Sequence, residues 1–430
     1  MKIKIKKMSY PEALKQKAYV HTKPMKQWFL LRKLVGLLSL WDLLPMRFHY
    51  ETVGMEKLPK DQPCLILMNH SNFIDLEVVG RIFRKRRYSI VCTLDGCVGL
   101  LWILKRLGCI PTRKFTVDPM LIKDMIYCLK ELKSSVIMFP EAGYSFDGTA
   151  TTLPESLGKC LKLLKVPVVM VETTGLFLQN PLYNGLQKRK VKIGATVSYV
   201  LSPEDIQQKS ADELNQILNN LFSFDHFAWQ KEQQIAVTEP FRADYLNRIL
   251  YKCPACHTEG KMVGKGIHLE CMACHKIYEL DEMGSMKAQE GPTEISHIPD
   301  WYRWERACVR EEILNGTYHL ELPVTIGLIL NTKCLYMVGE GTLTHDQNGF
   351  TLDGCNGDLH FTQPPTASYS LNADFYWYEI GDVICIGDSK VQYYCFPKES
   401  GDIVAKTRLA VEELYQIQNQ ERKAKKGSAK

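Results

Sequence analysis

Between Cys64 and about Leu201, short apolar runs alternate with stretches of helical spacing. The runs are Cys64–Met68, Ser89–Cys92, Val136–Phe139, Val166–Glu172 and Val191–Val197, with helices expected over Asp75–Phe83, Pro119–Leu132 and Glu155–Leu164. Strands that stay apolar along their whole length need cover on both faces. The alternation therefore predicts an α/β sandwich with a largely parallel sheet. Ser202-Pro203 and the capping box Ser210-Ala-Asp-Glu213 start the helices that close this domain near residue 235.

Two of the runs end in polar clusters. Asn69-His70-Ser71-Asn72-Phe73-Ile74-Asp75 follows the first, and Phe139-Pro140-Glu141-Ala142-Gly143 closes another. A His with a nearby carboxylate at a strand end is the usual construction of a general base. The imidazole takes a proton from a hydroxyl, and the carboxylate fixes the tautomer and stabilises the imidazolium. Positions five apart on a regular helix point about 140° away from each other. His70 and Asp75 therefore meet only if His70 lies at or before the helix start and Asp75 in its first turn. Ser71 or Asn72 can cap, and Ile74, Val78 and Val79 begin a helical apolar spacing.

His-x4-Asp followed some seventy residues later by Phe-Pro-Glu and two small residues resembles the glycerophospholipid acyltransferases, which include the lysophosphatidic acid (1-acylglycerol-3-phosphate) acyltransferases. Gly108-Cys109-Ile110-Pro111-Thr112-Arg113 looks like the family's second block, and Val166-Pro167-Val168-Val169-Met170-Val171 like its fourth. The resemblance covers about residues 25 to 235. It departs in the third block: Ala142 replaces the usual glycine, Gly143 follows one step later, and Tyr144 stands where an arginine is expected. That removes a fixed positive charge from the acceptor's phosphate pocket and opens the question of the acceptor, with Arg113, Lys114 and the basic run around Arg84 as other sources of charge.

The resemblance implies an O-acyltransferase moving a fatty acyl group from a thioester, on acyl-CoA or acyl carrier protein, to a lysophospholipid hydroxyl. His70 is the expected base and Asp75 its orienting carboxylate. Arg113, Glu141, Gly143 and Gly108 are the expected substrate-binding residues, with Arg113 forking the phosphate. The family transfers the acyl group directly, so no nucleophile is required. Gly-x-Ser-x-Gly is absent, against a serine hydrolase.

Ten Lys or Arg against the single acid Glu12 precede residue 34, and Arg81–Arg87 adds a second basic block. Anionic membrane lipid is the expected partner of both, while the terminal run Glu421–Lys426 reads as solvated surface. Leu30, Leu34, Leu37, Leu38, Trp41 and Leu44 recur at helical spacing between Trp28 and Pro45. Arg32, Lys33 and Asp42 make the stretch too charged and short for a span, leaving an interfacial helix or one packed on its own domain. No apolar core follows Met1–Lys7 as in a secretory signal, so a cytoplasmic protein, peripheral on the inner membrane face, is expected.

Of the fifteen cysteines, most read as small buried hydrophobes of a reducing compartment. Cys253-Pro-Ala-Cys256 and Cys271-Met-Ala-Cys274, fourteen residues apart, instead look like a zinc ribbon with four thiolates around one structural Zn. His257 and His275 follow the two pairs, which also spells a c-type haem attachment twice. The ribbon's mildly basic skin lacks interleaved aromatics, so no nucleic acid is expected, and a docking or regulatory module fits better.

Five regions result: 1–47 (basic, membrane-associating), 48–240 (acyltransferase), 245–285 (ribbon), 286–300 (linker) and 301–430. The last begins with a helix from Trp301 to about Leu314. Short strands broken by Asn348-Gly349, Asp353-Gly354, Asn356-Gly357 and Pro364-Pro365 follow. They predict a small antiparallel β-barrel or sandwich closed by one amphipathic helix, similar to a pleckstrin-homology-like barrel. A non-catalytic alternative is a lipid-binding scaffold recruiting partners through its ribbon and β-domain.

Overall fold

A computed structural model describes residues 3–71, 73–116, 118–398 and 403–428. The chain divides into an α/β unit (Val20–Pro181 and Lys188–Trp229) and a β-rich unit (Met1–Tyr19, Leu182–Gln187 and Gln230–Lys430).

The α/β unit is built on β1 (His49–Val53), β2 (Leu65–Met68), β3 (Tyr88–Thr93), β4 (Cys109–Thr112), β5 (Ser135–Met138), β6 (Val168–Thr174) and β7 (Gly194–Leu201). They lie in the order β1-β7-β6-β2-β5-β3-β4, and only the β6–β7 pair is antiparallel. β2 is buried along its whole length because both sheet faces are covered. Ile66 and Met68 pack on one side with Val78, Val79, Ile137 and Val171. Leu65 and Leu67 pack on the other with Met125, Leu129, Leu157 and Leu161. Side chains alternate across a pleated strand, so a continuous apolar run feeds two cores at once. The two expected helix starts after β7 are both present as capping boxes, at Ser202 with Asp205 and at Ser210 with Glu213.

The helix Phe29–Leu43 forms where the leucine spacing placed it, but its apolar face is not packed on the domain. Leu30 is 77% exposed and Trp41 80%, with Leu34, Leu37, Leu38 and Leu44 also exposed, while Leu43 is buried. Among the described residues no helix is long and apolar enough to cross a membrane. The first residues do not continue this region. Ile5–Lys7 is a strand paired with Leu335–Met337, and Tyr19 N–H donates to Leu330 O, so residues 3–19 join the β-rich unit instead of an N-terminal region reaching 47. Alternating Lys and Ile is a strand pattern, and the strand ladder uses it.

The β-rich unit holds two sheets, antiparallel throughout except for the parallel pairing of Ile5–Lys7 on Leu335–Met337 in the larger one. The smaller has Met286–Ala288, Ile277–Leu280, His268–Cys271 and Met262–Lys265 in that order. Residues 286–288, expected within a linker, are its fourth strand, and the next helix begins at Ile298 rather than Trp301. In the larger sheet a four-strand meander (Leu320–Ile329, Leu335–Asp346, Gly349–Gly354, Leu359–Gln363) meets a three-strand one (Asn372–Trp377, Gly381–Gly387, Gln392–Pro397). Leu320–Ile329 pairs with Gln392–Pro397 to join them. The pairing path stays open: among the described residues no ladder joins its two edge strands, so barrel closure is not formed by pairing. Pro364 and Pro365, directly after one edge strand, have no N–H to extend it. The expected terminal helix runs Ile403–Ser428 and buries Ala405, Leu409, Val411 and Leu414.

Candidate active site

β2 ends at Met68, and the helix Asp75–Ile82 begins after a six-residue turn. His70 sits in that turn and Asp75 is the first helical residue, the arrangement that lets positions five apart meet. His70 Nδ1 lies 2.7 Å from Asp75 Oδ2, which also accepts the Ser71 N–H at 3.1 Å. With Nδ1–H held by a carboxylate, Nε2 carries the lone pair. Burial pushes the imidazole below its ordinary 6.5 against the pull of Asp75, and the Lys114 ammonium pushes the same way. The His70 side chain keeps 17% of its surface, so a neutral base meets solvent at one edge.

The helix start is not capped as the sequence suggested. Its N-cap is Ile74, Ser71 uses its hydroxyl elsewhere, and Asn72 lies outside the described residues. Ser71 Oγ lies 3.2 Å from Asn69 Nδ2 and 3.4 Å from His226 Nε2. Asn69 Oδ1 accepts the N–H of Thr173 at 2.8 Å, tying the turn to β6. Burial holds His226 down at about 4, so it is neutral at pH 7.

Glu141 follows Pro140 at the end of β5 and is 1% exposed. Its Oε2 accepts the His70 N–H at 2.9 Å, and its Oε1 accepts the N–H and hydroxyl of Thr151 at 2.9 and 3.2 Å. The second motif thus braces the backbone of the first. Ala142 adopts φ 54°, a left-handed conformation that favours glycine, and Gly143 beside it is buried. Tyr144 lies against the His70 ring at 4.0 Å between centroids, and Phe139 at 4.4 Å.

Arg113 follows the carboxyl end of β4, as His70 and Glu141 follow those of β2 and β5. All three stand at the edge where ligands bind in open α/β sheets. The sheet order puts β4 three strands from β2, about 14 Å across. Gly108 stands at the opposite, amino end of β4, with φ 87° and the place of a Cβ only 2.9 Å from Tyr88 O. Backbone approach there demands glycine, away from His70.

In the β-rich unit Cys253, Cys256, Cys271 and Cys274 bring four Sγ atoms within 4.8 Å of one another. Cys253–Cys274 and Cys256–Cys271 are 3.8 and 3.7 Å apart, against about 3.8 Å for thiolates 2.3 Å from a tetrahedral ion. His257 and His275 each donate N–H to the first Cys carbonyl of their pair, both at 2.8 Å with φ near 60°. Two matching turns converging on one point can hold a metal, and do not suit two separate haem attachments.

Residues 49–172 match the family model described as Acyltransferase. A solved structure similar to this one is the 1-acyl-sn-glycerophosphate (LPA) acyltransferase, PlsC, from Thermotoga maritima. It is 18% identical over 45% of this chain and 77% of that chain, with a TM-score of 0.36. No curated protein matches the sequence. The sequence missed Tyr144 against His70 and the buried His226, which sits 155 positions from Ser71 with no local signal. The resemblance read from the motifs stands: the segment 49–172, carrying His70, Asp75, Arg113 and Glu141, is a domain of the acyltransferase family.

Proposed function

We propose that the chain is an O-acyltransferase that moves a fatty acyl group from an acyl thioester to a hydroxyl of a glycerol-phosphate-type lysolipid, 1-acylglycerol 3-phosphate first among them. The observation that carries this is the 2.7 Å His70–Asp75 pair at the end of a central parallel strand, inside the family-matched segment. His70 Nε2 takes the hydroxyl proton as the oxygen attacks the thioester carbonyl. When the tetrahedral intermediate collapses, the C–S bond breaks and the imidazolium returns the proton to the leaving thiolate. Asp75 stabilises the imidazolium between those steps, and Glu141 keeps the His70 backbone in place. Arg113 and Lys114 supply positive charge for an acceptor phosphate.

The donor is acyl-CoA or acyl carrier protein. The exposed face of Leu30, Leu34, Leu37, Leu38, Trp41 and Leu44 docks on a membrane that supplies the acceptor, with basic side chains nearby meeting anionic headgroups. The four thiolates hold one structural zinc, whose binding stabilises the surrounding fold. Incubating the protein with each donor and a panel of lysolipids in anionic vesicles, then reading products by mass spectrometry, tests the proposal. Diacyl product from one donor class is expected, and no product from any pairing would overturn it.

A further inference from the structure

His226 opens the helix His226–Glu232, is 2% exposed, and takes no part in the proton transfer at His70. Two separate lines nevertheless run from it to the turn that carries the base. The first goes through its ring, with Nε2 3.4 Å from Ser71 Oγ. The second goes through its main chain. The His226 N–H donates to Gly148 O, the Gly148 N–H to Ser145 Oγ, and the Ser145 N–H to His70 O. The ring itself is held by Phe177, stacked at 5.6 Å, and by Phe224 at 5.1 Å.

A main-chain N–H can only donate, and that fixes the direction of the first line. The Thr173 N–H donates to Asn69 Oδ1, so Asn69 Nδ2 is the donor to Thr173 O and to Ser71 Oγ. Ser71 Oγ therefore accepts from Asn69 and has its own proton for His226 Nε2. An accepting Nε2 makes His226 the neutral Nδ1–H form, which burial also favours. Ser71 gives its main-chain N–H to Asp75 Oδ2, the same oxygen that holds His70 Nδ1. A Ser71 that turned away would carry that N–H with it and loosen the His70–Asp75 pair.

We propose that His226 is a positioning residue for the His70 base. As a neutral acceptor it holds the Ser71 hydroxyl and so keeps the His70–Asp75 pair in its reactive geometry. This rests on the acyltransferase reading of the same site, and it extends the working site past residue 172, where the family match ends.

The test is a double-mutant cycle on kcat and KM of the full-length protein, with a saturating acyl thioester and the best lysolipid acceptor. His226→Phe keeps a buried ring and removes the acceptor, while His226→Gln keeps an acceptor near the Nε2 position. Ser71→Ala removes the hydroxyl, and circular dichroism checks every fold. His226→Phe and Ser71→Ala should each lower kcat at least about threefold with KM within about twofold. The double variant should be no slower than the slower single one, and His226→Gln should recover most of the loss. Additive losses, a wild-type kcat in either single variant, or a loss that falls on KM overturns the role of His226 alone. If His226→Phe does not fold, Ser71→Ala decides. A wild-type kcat in that variant then overturns the proposal, and a loss that adding His226→Gln does not deepen supports it. Wild type inert with every acceptor overturns the acyltransferase reading and this proposal with it.

Discussion

Oε2 of Glu141 accepts the main-chain N–H of His70 at 2.9 Å, so a motif seventy-one residues downstream holds the backbone on which the base is mounted. The other oxygen holds Thr151, making the carboxylate a buried brace between two loops. Glu141→Ala leaves those donors without their acceptor and should cost at least about 3 kcal/mol, since hydrogen bonds to a charged group contribute about 1.5–3 kcal/mol each. A fall in melting temperature, with kcat dropping more than KM rises, is the expected outcome. Unchanged melting with raised KM alone would instead indicate direct substrate contact.

Asp75 sets the tautomer of His70 and stabilises its charged form. Asp75→Asn should lower kcat by about 10²–10⁴-fold with little change in KM.

The folded pKa of His70 lies below its unfolded value of 6.5, chiefly through burial. The base form therefore persists above 6.5, and the acid limb of kcat/KM should fall below pH 6.5. The same sign governs stability: folding favours the neutral ring, so this contribution is present above 6.5 and is lost as pH falls through the folded value. An acid limb centred above 6.5 would contradict the burial of the base.

Glu77 is pushed up to about 7 by burial and by the Asp42 carboxylate on the exposed amphipathic helix. A raised carboxyl pKa means the folded state holds its proton more tightly, so stability declines as pH rises from about 4.5 through 7. Glu77→Gln should then raise the melting temperature at pH 8 and not at pH 4.5. Equal effects at both would point to packing rather than charge.

Ala142 holds φ 54° at a place where glycine is relaxed. Ala142→Gly should raise stability by up to about 1 kcal/mol, read as a small upward shift in thermal melting.

The motifs and the central sheet were legible for a physical reason. β2 and β5 are covered on both faces, so their sequences carry continuous apolar runs. β1 left no such trace, because all five residues from His49 to Val53 are exposed. Met286–Ala288 is short and ends in the turn chemistry of a linker, so only its pairing with Ile277–Leu280 identifies it. The His70–Asp75 meeting followed from helix geometry, and the convergence of four thiols from Cys-x-x-Cys spacing. The brace role of Glu141 and the stacking of Tyr144 depend on where β5 lies beside β2, which no spacing encodes.

The central claim is that His70 is the base. It is tested most directly by comparing kcat of wild type and His70→Ala with an acyl thioester and the best lysolipid acceptor, with circular dichroism and melting on both. The account predicts a loss of at least about 10²-fold in the variant with its fold intact. A folded His70→Ala protein that transfers acyl groups at the wild-type rate would contradict it.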